Sequence, residues 1–244
     1  MQLLEMDEMK AALQGKRGSN FLSVLNHDLL QPIAAAKLIV GSIGFGISDL
    51  DKSEHNRKLL EAALGQVTEF VDKIVIFETL KQREYTIEFQ SVDVLQLVHE
   101  CVRAVLNRNL NWSGSVEVVG ETQVLIADRS LLTRLFGELL SNAIRHADAD
   151  LVEIAIQNES GAVIVSVKDQ GRGMSETEMR EAFKPFKRLP KSEVVEFEGP
   201  GLGLSSCVLI AEQIGIQMSM TSMPGKGTRV DTVLPIAKQA ETTE

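Results

Sequence analysis

The chain has 244 residues, 44% of them hydrophobic and 24% charged, with a formal net charge of -9; this fits one or two globular domains and excludes disordered and collagen-like classes. The acidic balance leaves no basic surplus for general nucleic-acid binding. Apolar runs stop well short of the roughly 18 residues of a membrane helix, and the start carries Glu5, Asp7 and Glu8 where a signal peptide is basic, so a cytoplasmic chain with no membrane segment is expected. Cys101 and Cys207 stand far apart among apolar residues and read as buried free thiols, since they lack the paired spacing of a zinc site or a disulfide framework.

In chain order, residues 15–18 read as a flexible joint, and Ser19 then caps a helix. Its apolar positions Phe21, Leu22, Leu25, Leu29 and Ile33 fall at helical spacing, and it continues to Ile43. The glycines 41, 44 and 46, followed by Ser48, Asp49 and Asp51, break it. A second helix follows, with Leu60, Ala63, Val67, Phe70, Ile74 and Phe77 at alternating steps of three and four. Two such helices form a hairpin whose apolar seam is only half covered, which predicts a homodimer closing a four-helix bundle.

Beyond Tyr85 the pattern changes. Strands are predicted at 115–119, 124–127, 151–157, 162–169, 216–222 and 227–234, and helices at 94–106, 128–146, 175–183 and 204–214, with Asp128 as an N-cap. Strands and helices interleaved without a strict βαβ repeat indicate an α+β sandwich. The division is placed at 84/85, giving a helical domain at 1–84 and an α+β domain at 85–244.

Within the first helix, His27 stands off the apolar face. Asp28 beside it is placed to fix the imidazole tautomer and take its proton, leaving the other nitrogen nucleophilic. A solvated surface pair is the bland alternative. Pro32, inside the same helix, removes a backbone hydrogen bond and introduces a kink or bulge.

Three further constellations lie in the second half. Glu138, Asn142 and His146 recur every four residues along one helix face, which is either a functional stripe or its wet side. A strand ends in Asp169-Gln170-Gly171-Arg172-Gly173, a carboxylate followed by glycines that let backbone approach a flat ligand; turns at strand ends often have this composition. Gly199-Pro200-Gly201-Leu202-Gly203-Leu204 opens an apolar helix, an arrangement that offers bare amides to phosphate. Gly225-Lys226-Gly227-Thr228 reads most simply as a hairpin turn.

Two of these stretches carry a family resemblance. Asn26-His27-Asp28-Leu29-Leu30-Gln31-Pro32 resembles the phospho-acceptor box of sensor histidine kinases, with Gln31 where that family often has threonine or asparagine and Leu30 where many members have arginine. The order of helix stripe, aspartate-glycine turn, Phe183-Lys184-Pro185-Phe186, glycine-rich helix entry and glycine hairpin is similar to their ATP-binding domain, a Bergerat-type fold shared with heat-shock chaperones, gyrase and mismatch-repair ATPases.

The resemblance implies ATP and Mg²⁺ as cofactors, autophosphorylation of His27 and transfer to an aspartate of a response-regulator receiver domain. It implies catalytic roles for His27, Asp28, Gln31, Glu138 and Arg145, with Asn142 ligating the metal. It places Asn142, His146, Asp169, Gly171, Gly173, Gly199, Gly201, Gly203, Leu204 and Thr228 around the nucleotide, and a lid over 184–198. A regulatory pseudokinase with the same fold is the alternative.

Overall fold

The computed structural model describes residues 1–14, 29–43, 50–110, 112–146, 151–159, 161–189 and 200–236. Contacts divide the chain into two compact units. One holds Met1–Gly15, Leu80–Lys184 and Gly203–Glu244; the other holds Lys16–Thr79 and Pro185–Leu202.

The first unit is an α+β domain. Its large sheet contains β1 (Gln2–Leu4), β3 (Ser115–Gly120), β5 (Leu151–Glu159), β6 (Ala162–Asp169), β7 (Gln217–Ser222) and β8 (Thr228–Pro235) in the order β1-β7-β8-β6-β5-β3. Only the β3–β5 pair is parallel. A two-stranded ribbon joins β2 (Phe89–Asp93) to β4 (Val124–Asp128).

Period-two alternation gives the large sheet one apolar face. Val152, Ile154 and Ile156 of β5, Val163, Val165 and Val167 of β6, and Met218 and Met220 of β7 are all buried. The helices α4 (Val94–Arg108), α5 (Arg129–His146) and α7 (Gly203–Gln213) complete that core, with α5 packing on β6, α4 and α7. From α5 come Leu131, Leu132, Leu135, Phe136, Leu139 and Leu140, all buried. Cys101 and Cys207 are buried and form no disulfide, and burial pushes the Cys101 thiol up to about 11.

Asp128 caps α5 as expected: its Oδ1 accepts the Leu131 N–H at 2.9 Å, while Oδ2 accepts that of Glu88 at 2.9 Å. One buried carboxylate thus ties the chain just before β2 to the helix that carries the polar stripe.

The N-terminal segment departs from the sequence reading. Residues 1–84 were expected to form one helical domain, but β1 adds to the edge of the large sheet beside β7, with Leu4 opposite Met220. Helix α1 (Met6–Leu13) follows it. Leu4, Met6 and Met9 are buried, and Glu8 pairs with Arg180 of α6 (Glu176–Ala182) at 2.9 Å. A three-residue strand shows no period of its own; it forms because an edge of the sheet offers unpaired backbone groups. Strand β2, also absent from the sequence reading, is defined by its pairing with β4.

In the second unit lie α2 (Leu30–Ile43) and most of the 32-residue α3 (Leu50–Lys81). The start of the predicted first helix lies outside the described residues. On α3 the heptad positions Ala63, Phe70 and Phe77 are buried, whereas Leu59, Leu64, Val71 and Val75, with Leu38 and Val40 of α2, are exposed. Phe186 of the same unit sets its ring edge-on to Phe77, centroids 6.1 Å apart.

Candidate nucleotide site

The site in the α+β unit is made where the ends of β6, β7 and α5 meet. Asp169 closes β6 and is 8% exposed. Its Oδ1 accepts the Gly171 N–H at 2.9 Å and the Thr228 N–H at 3.2 Å. These bonds fix the carboxylate between the two glycine turns and compensate for its burial.

The glycines are set by contact. A Cβ at Gly171 would stand 2.1 Å from the His146 carbonyl oxygen, at Gly173 1.9 Å from that of Met223, and at Gly227 2.0 Å from that of Asp169. Gly173 and Gly227 also have φ of 63° and 74°. The aspartate turn and the glycine hairpin, far apart in sequence, are therefore pressed backbone to backbone. His146 is an exposed residue whose carbonyl oxygen is the atom that a Gly171 side chain would meet.

The helix stripe and the glycine-rich helix entry also converge. A Cβ at Gly203, the first residue of α7, would lie 2.8 Å from Glu138 Oε2 and 3.4 Å from Asn142 Nδ2. Leu204 follows, half-buried in the first turn of α7. Arg145, one turn after Ser141, donates to its hydroxyl at 3.1 Å. Glu138 and Asn142 present hard oxygen atoms at a helix N-terminus, a donor set that suits Mg²⁺ carrying phosphate and water. Among the described residues there is no group of three or more His, Cys, Asp or Glu residues of the kind that holds a metal by protein ligands alone.

Downstream of Gly173, Ser175 and Glu178 form a capping box at the start of α6, and Arg172 donates to Glu178 at 2.9 Å. The Ser175 backbone N–H first, then Arg172, hold the Glu178 carboxyl down at about 2.

Of the remaining expected residues, His27, Asp28 and Gly199 lie outside the described residues. Gln31 is exposed on α2. Gly201 falls in the helical unit, where its carbonyl accepts the Phe186 N–H at 3.0 Å and a Cβ would meet the Lys187 carbonyl oxygen at 2.9 Å.

One residue at the site escaped the sequence reading. Ser222, fully buried, bonds to Met174, Gly227 and Thr228. The available signal was parity: it continues the inward series Met218, Met220 along β7.

The histidine kinase-, DNA gyrase B- and HSP90-like ATPase family matches residues 127–238, the stretch that holds every element of this site. The sensor histidine kinase YcbM of Bacillus subtilis (strain 168) is 26% identical over 214 residues, covering 85% of this chain and 68% of that protein. Together the ATPase-family match and the sensor histidine kinase relatives support a sensor histidine kinase catalytic core. The adaptive-response sensory kinase SasA of Prochlorococcus marinus is 27% identical over 221 residues, with 88% of the chain and 56% of that protein covered. The chain thus spans about two thirds or less of the length of these curated relatives.

Its fold is that of the Acinetobacter baumannii histidine kinase AdeS, with a TM-score of 0.65, 18% identity, and 87% and 98% of the two chains covered. Full-length ShkA in complex with AMPPNP gives a TM-score of 0.65 at 18% identity, covering 97% of the kinase core and 47% of that chain. No helix among its described residues is long and apolar enough to cross a membrane.

Proposed function

We propose that this kinase core binds ATP at the Asp169–Asn142–Gly203 site, phosphorylates His27 and passes the phosphoryl group to an aspartate of a response-regulator receiver domain. The observation that carries the reading is the union, in one chain, of an ATPase domain with a long-helix unit whose sequence bears the His27 box. A chaperone- or gyrase-type ATPase would leave that box without a role.

In this reading Asp169 accepts the adenine amino hydrogen. Gly171 and Gly173 keep that pocket flat because side chains there would collide with backbone. Gly203 and Leu204 present amides to the phosphates, and Arg145 offsets their charge. Asn142, with Glu138 beside it, would hold Mg²⁺, which supplies charge neutralisation on the triphosphate.

The His27 nitrogen attacks the γ-phosphorus as the bond to the β–γ bridging oxygen breaks and ADP leaves; Asp28 accepts the proton from the other ring nitrogen. Phosphohistidine, a phosphoramidate, then gives its phosphoryl group to the partner aspartate, and in this reading the Gln31 amide orients water at that acyl phosphate. Use of ATP and transfer to an intracellular signalling partner assign the chemistry to the cytoplasm. The exposed apolar residues of α2 and α3 support association of two copies through their hairpins.

Incubation with γ-labelled ATP and Mg²⁺ tests the proposal. Acid-labile, alkali-stable label is expected on the wild type and absent from His27→Ala. Nucleotide binding without labelling in either would replace the kinase reading with that of a regulatory pseudokinase.

A further inference from the structure

We infer that Ser222 is a positioning residue that sets the direction of the Thr228 hydroxyl and thereby makes the base pocket select a 6-amino purine over a 6-oxo purine. The inference rests on the reading of this site as an ATP site and goes beyond it by assigning base discrimination to a residue outside the recognised motifs.

A hydroxyl has one proton and two acceptor lone pairs, and Ser222 uses all three. Its Oγ donates to the Gly227 carbonyl at 2.9 Å, since a carbonyl only accepts. It accepts the Met174 N–H at 2.9 Å. The third partner is Thr228 Oγ1 at 3.0 Å. With the single Ser222 proton committed to Gly227, Thr228 must be the donor in that contact. Its own proton is then directed at Ser222, and what Oγ1 offers elsewhere is lone pairs alone.

This arrangement is held rigidly. Ser222 is fully buried and its backbone is paired on both sides, to Gln2 of β1 and directly to Thr228 of β8. Thr228 is also fastened to the base-recognising carboxylate, donating its N–H to Asp169 Oδ1 at 3.2 Å. Asp169 and Thr228 therefore stand together as acceptors. The 6-amino group of adenine meets two acceptors with a donor. The 6-oxo group of inosine or guanine meets them as a third acceptor and leaves buried polar groups unmatched, the strongest source of polar discrimination. Without Ser222 Oγ the Thr228 rotor is released and can donate to a 6-oxo group.

The test is calorimetric titration of the full chain with ATP and with inosine triphosphate, both with Mg²⁺, on wild type, Ser222→Ala, Thr228→Val and the double variant. The wild type is expected to prefer ATP. Ser222→Ala should narrow the ATP-to-inosine-triphosphate affinity ratio about five- to tenfold, the worth of one hydrogen bond. Thr228→Val should narrow it similarly, and the double variant no further than either single change, because both act through one hydroxyl. A general loosening of the pocket would weaken both nucleotides and leave the ratio alone.

An unchanged ratio in Ser222→Ala, or additive effects in the double variant, overturns the inference while the ATP site stands. Should Ser222→Ala not fold, an unchanged ratio in Thr228→Val overturns it equally. Wild-type protein that binds neither nucleotide removes the ATP-site reading itself.

Discussion

Glycine means different things in the two units of this chain. At the proposed base pocket Gly173 and Gly227 are pressed against carbonyl oxygens and held at positive φ, so geometry forbids any other residue. On α3, Gly65 has nothing within 4 Å of where a Cβ would stand. Apolar surface is arranged differently too: the exposed apolar side chains of the α+β unit, among them Phe89, Leu110 and Val119, lie on separate segments, whereas Leu64, Val71 and Val75 follow one another along a single helix. The α+β unit is finished at this pocket by its own contacts, and the long helices carry the face proposed to meet a second copy.

The most severe way to break the finished unit is Gly173→Ala. The added methyl would stand 1.9 Å from the Met223 carbonyl oxygen, which is backbone and has no room to rotate away. A loss of about 3–5 kcal/mol is expected, in the range of rare severe substitutions, with loss of nucleotide binding. The control is Gly161→Ala, also at positive φ (84°) but with open space around it; there only the left-handed conformational cost of about 1–2 kcal/mol applies. Urea unfolding of both variants checks the ordering, and equal losses would refute the role given to the close approach.

The open face of the helical unit is tested by charge. Leu64→Glu combined with Val71→Glu should convert a dimer into a monomer by light scattering and leave ATP affinity intact, because neither residue belongs to the nucleotide site. Full burial of each side chain in a bundle would stabilise the dimer by roughly 1.5–3 kcal/mol, so two charges in the seam are enough to open it. Wild-type protein already monomeric at micromolar concentration would show that this face serves something other than a second copy.

Legibility in the sequence followed the same division between local pattern and distant contact. The helices around the core were readable because residues such as Leu131, Leu135 and Leu139 repeat at helical spacing, and Asp169, Gly171 and Gly173 because their spacing is itself the turn. Strand β1 was not readable: Gln2–Leu4 is extended only because β7 presents an edge to it, a fact recorded in residues more than 200 positions away. Ser222 was equally hidden, since a serine after two methionines carries no chemistry until Met174, Gly227 and Thr228 are brought around it. The close approach of the His146 carbonyl to Gly171 was not readable either, because sequence spacing does not tell a side-chain contact from a main-chain one.

A smaller effect separates rigidity from charge within the α+β unit. The Glu178 carboxyl is held at about 2, below its ordinary 4.5, by the Ser175 N–H and then by Arg172. A lowered folded-state value means stability that is fully present above the unfolded pKa and lost as pH falls from about 4.5 toward about 2. Glu178→Gln should remove that acid-dependent portion. Both side chains are about a third exposed, so screening limits the effect to about 1 kcal/mol or less. Unfolding curves at pH 7 and pH 3 should lie further apart for the wild type than for the variant.

The mildest change sharpens the comparison most, because its sign is opposite. Gly65 lies inside α3, exposed and with open space around it, and a glycine within a helix costs about 0.5–1 kcal/mol relative to alanine through the freedom it loses on folding. Gly65→Ala should therefore stabilise the helical unit by that amount, raising the urea midpoint, where the same substitution at Gly173 destroys its turn. Gly65 also adjoins Leu64 on the face proposed to meet a second copy. If a small residue is needed there for close helix approach, the alanine would weaken the dimer while strengthening the single helix. Urea midpoints measured above and below the dimer dissociation range separate the two contributions: a gain at both concentrations makes Gly65 a plain helix weakness, and a gain only in the dilute monomer makes it part of the interface.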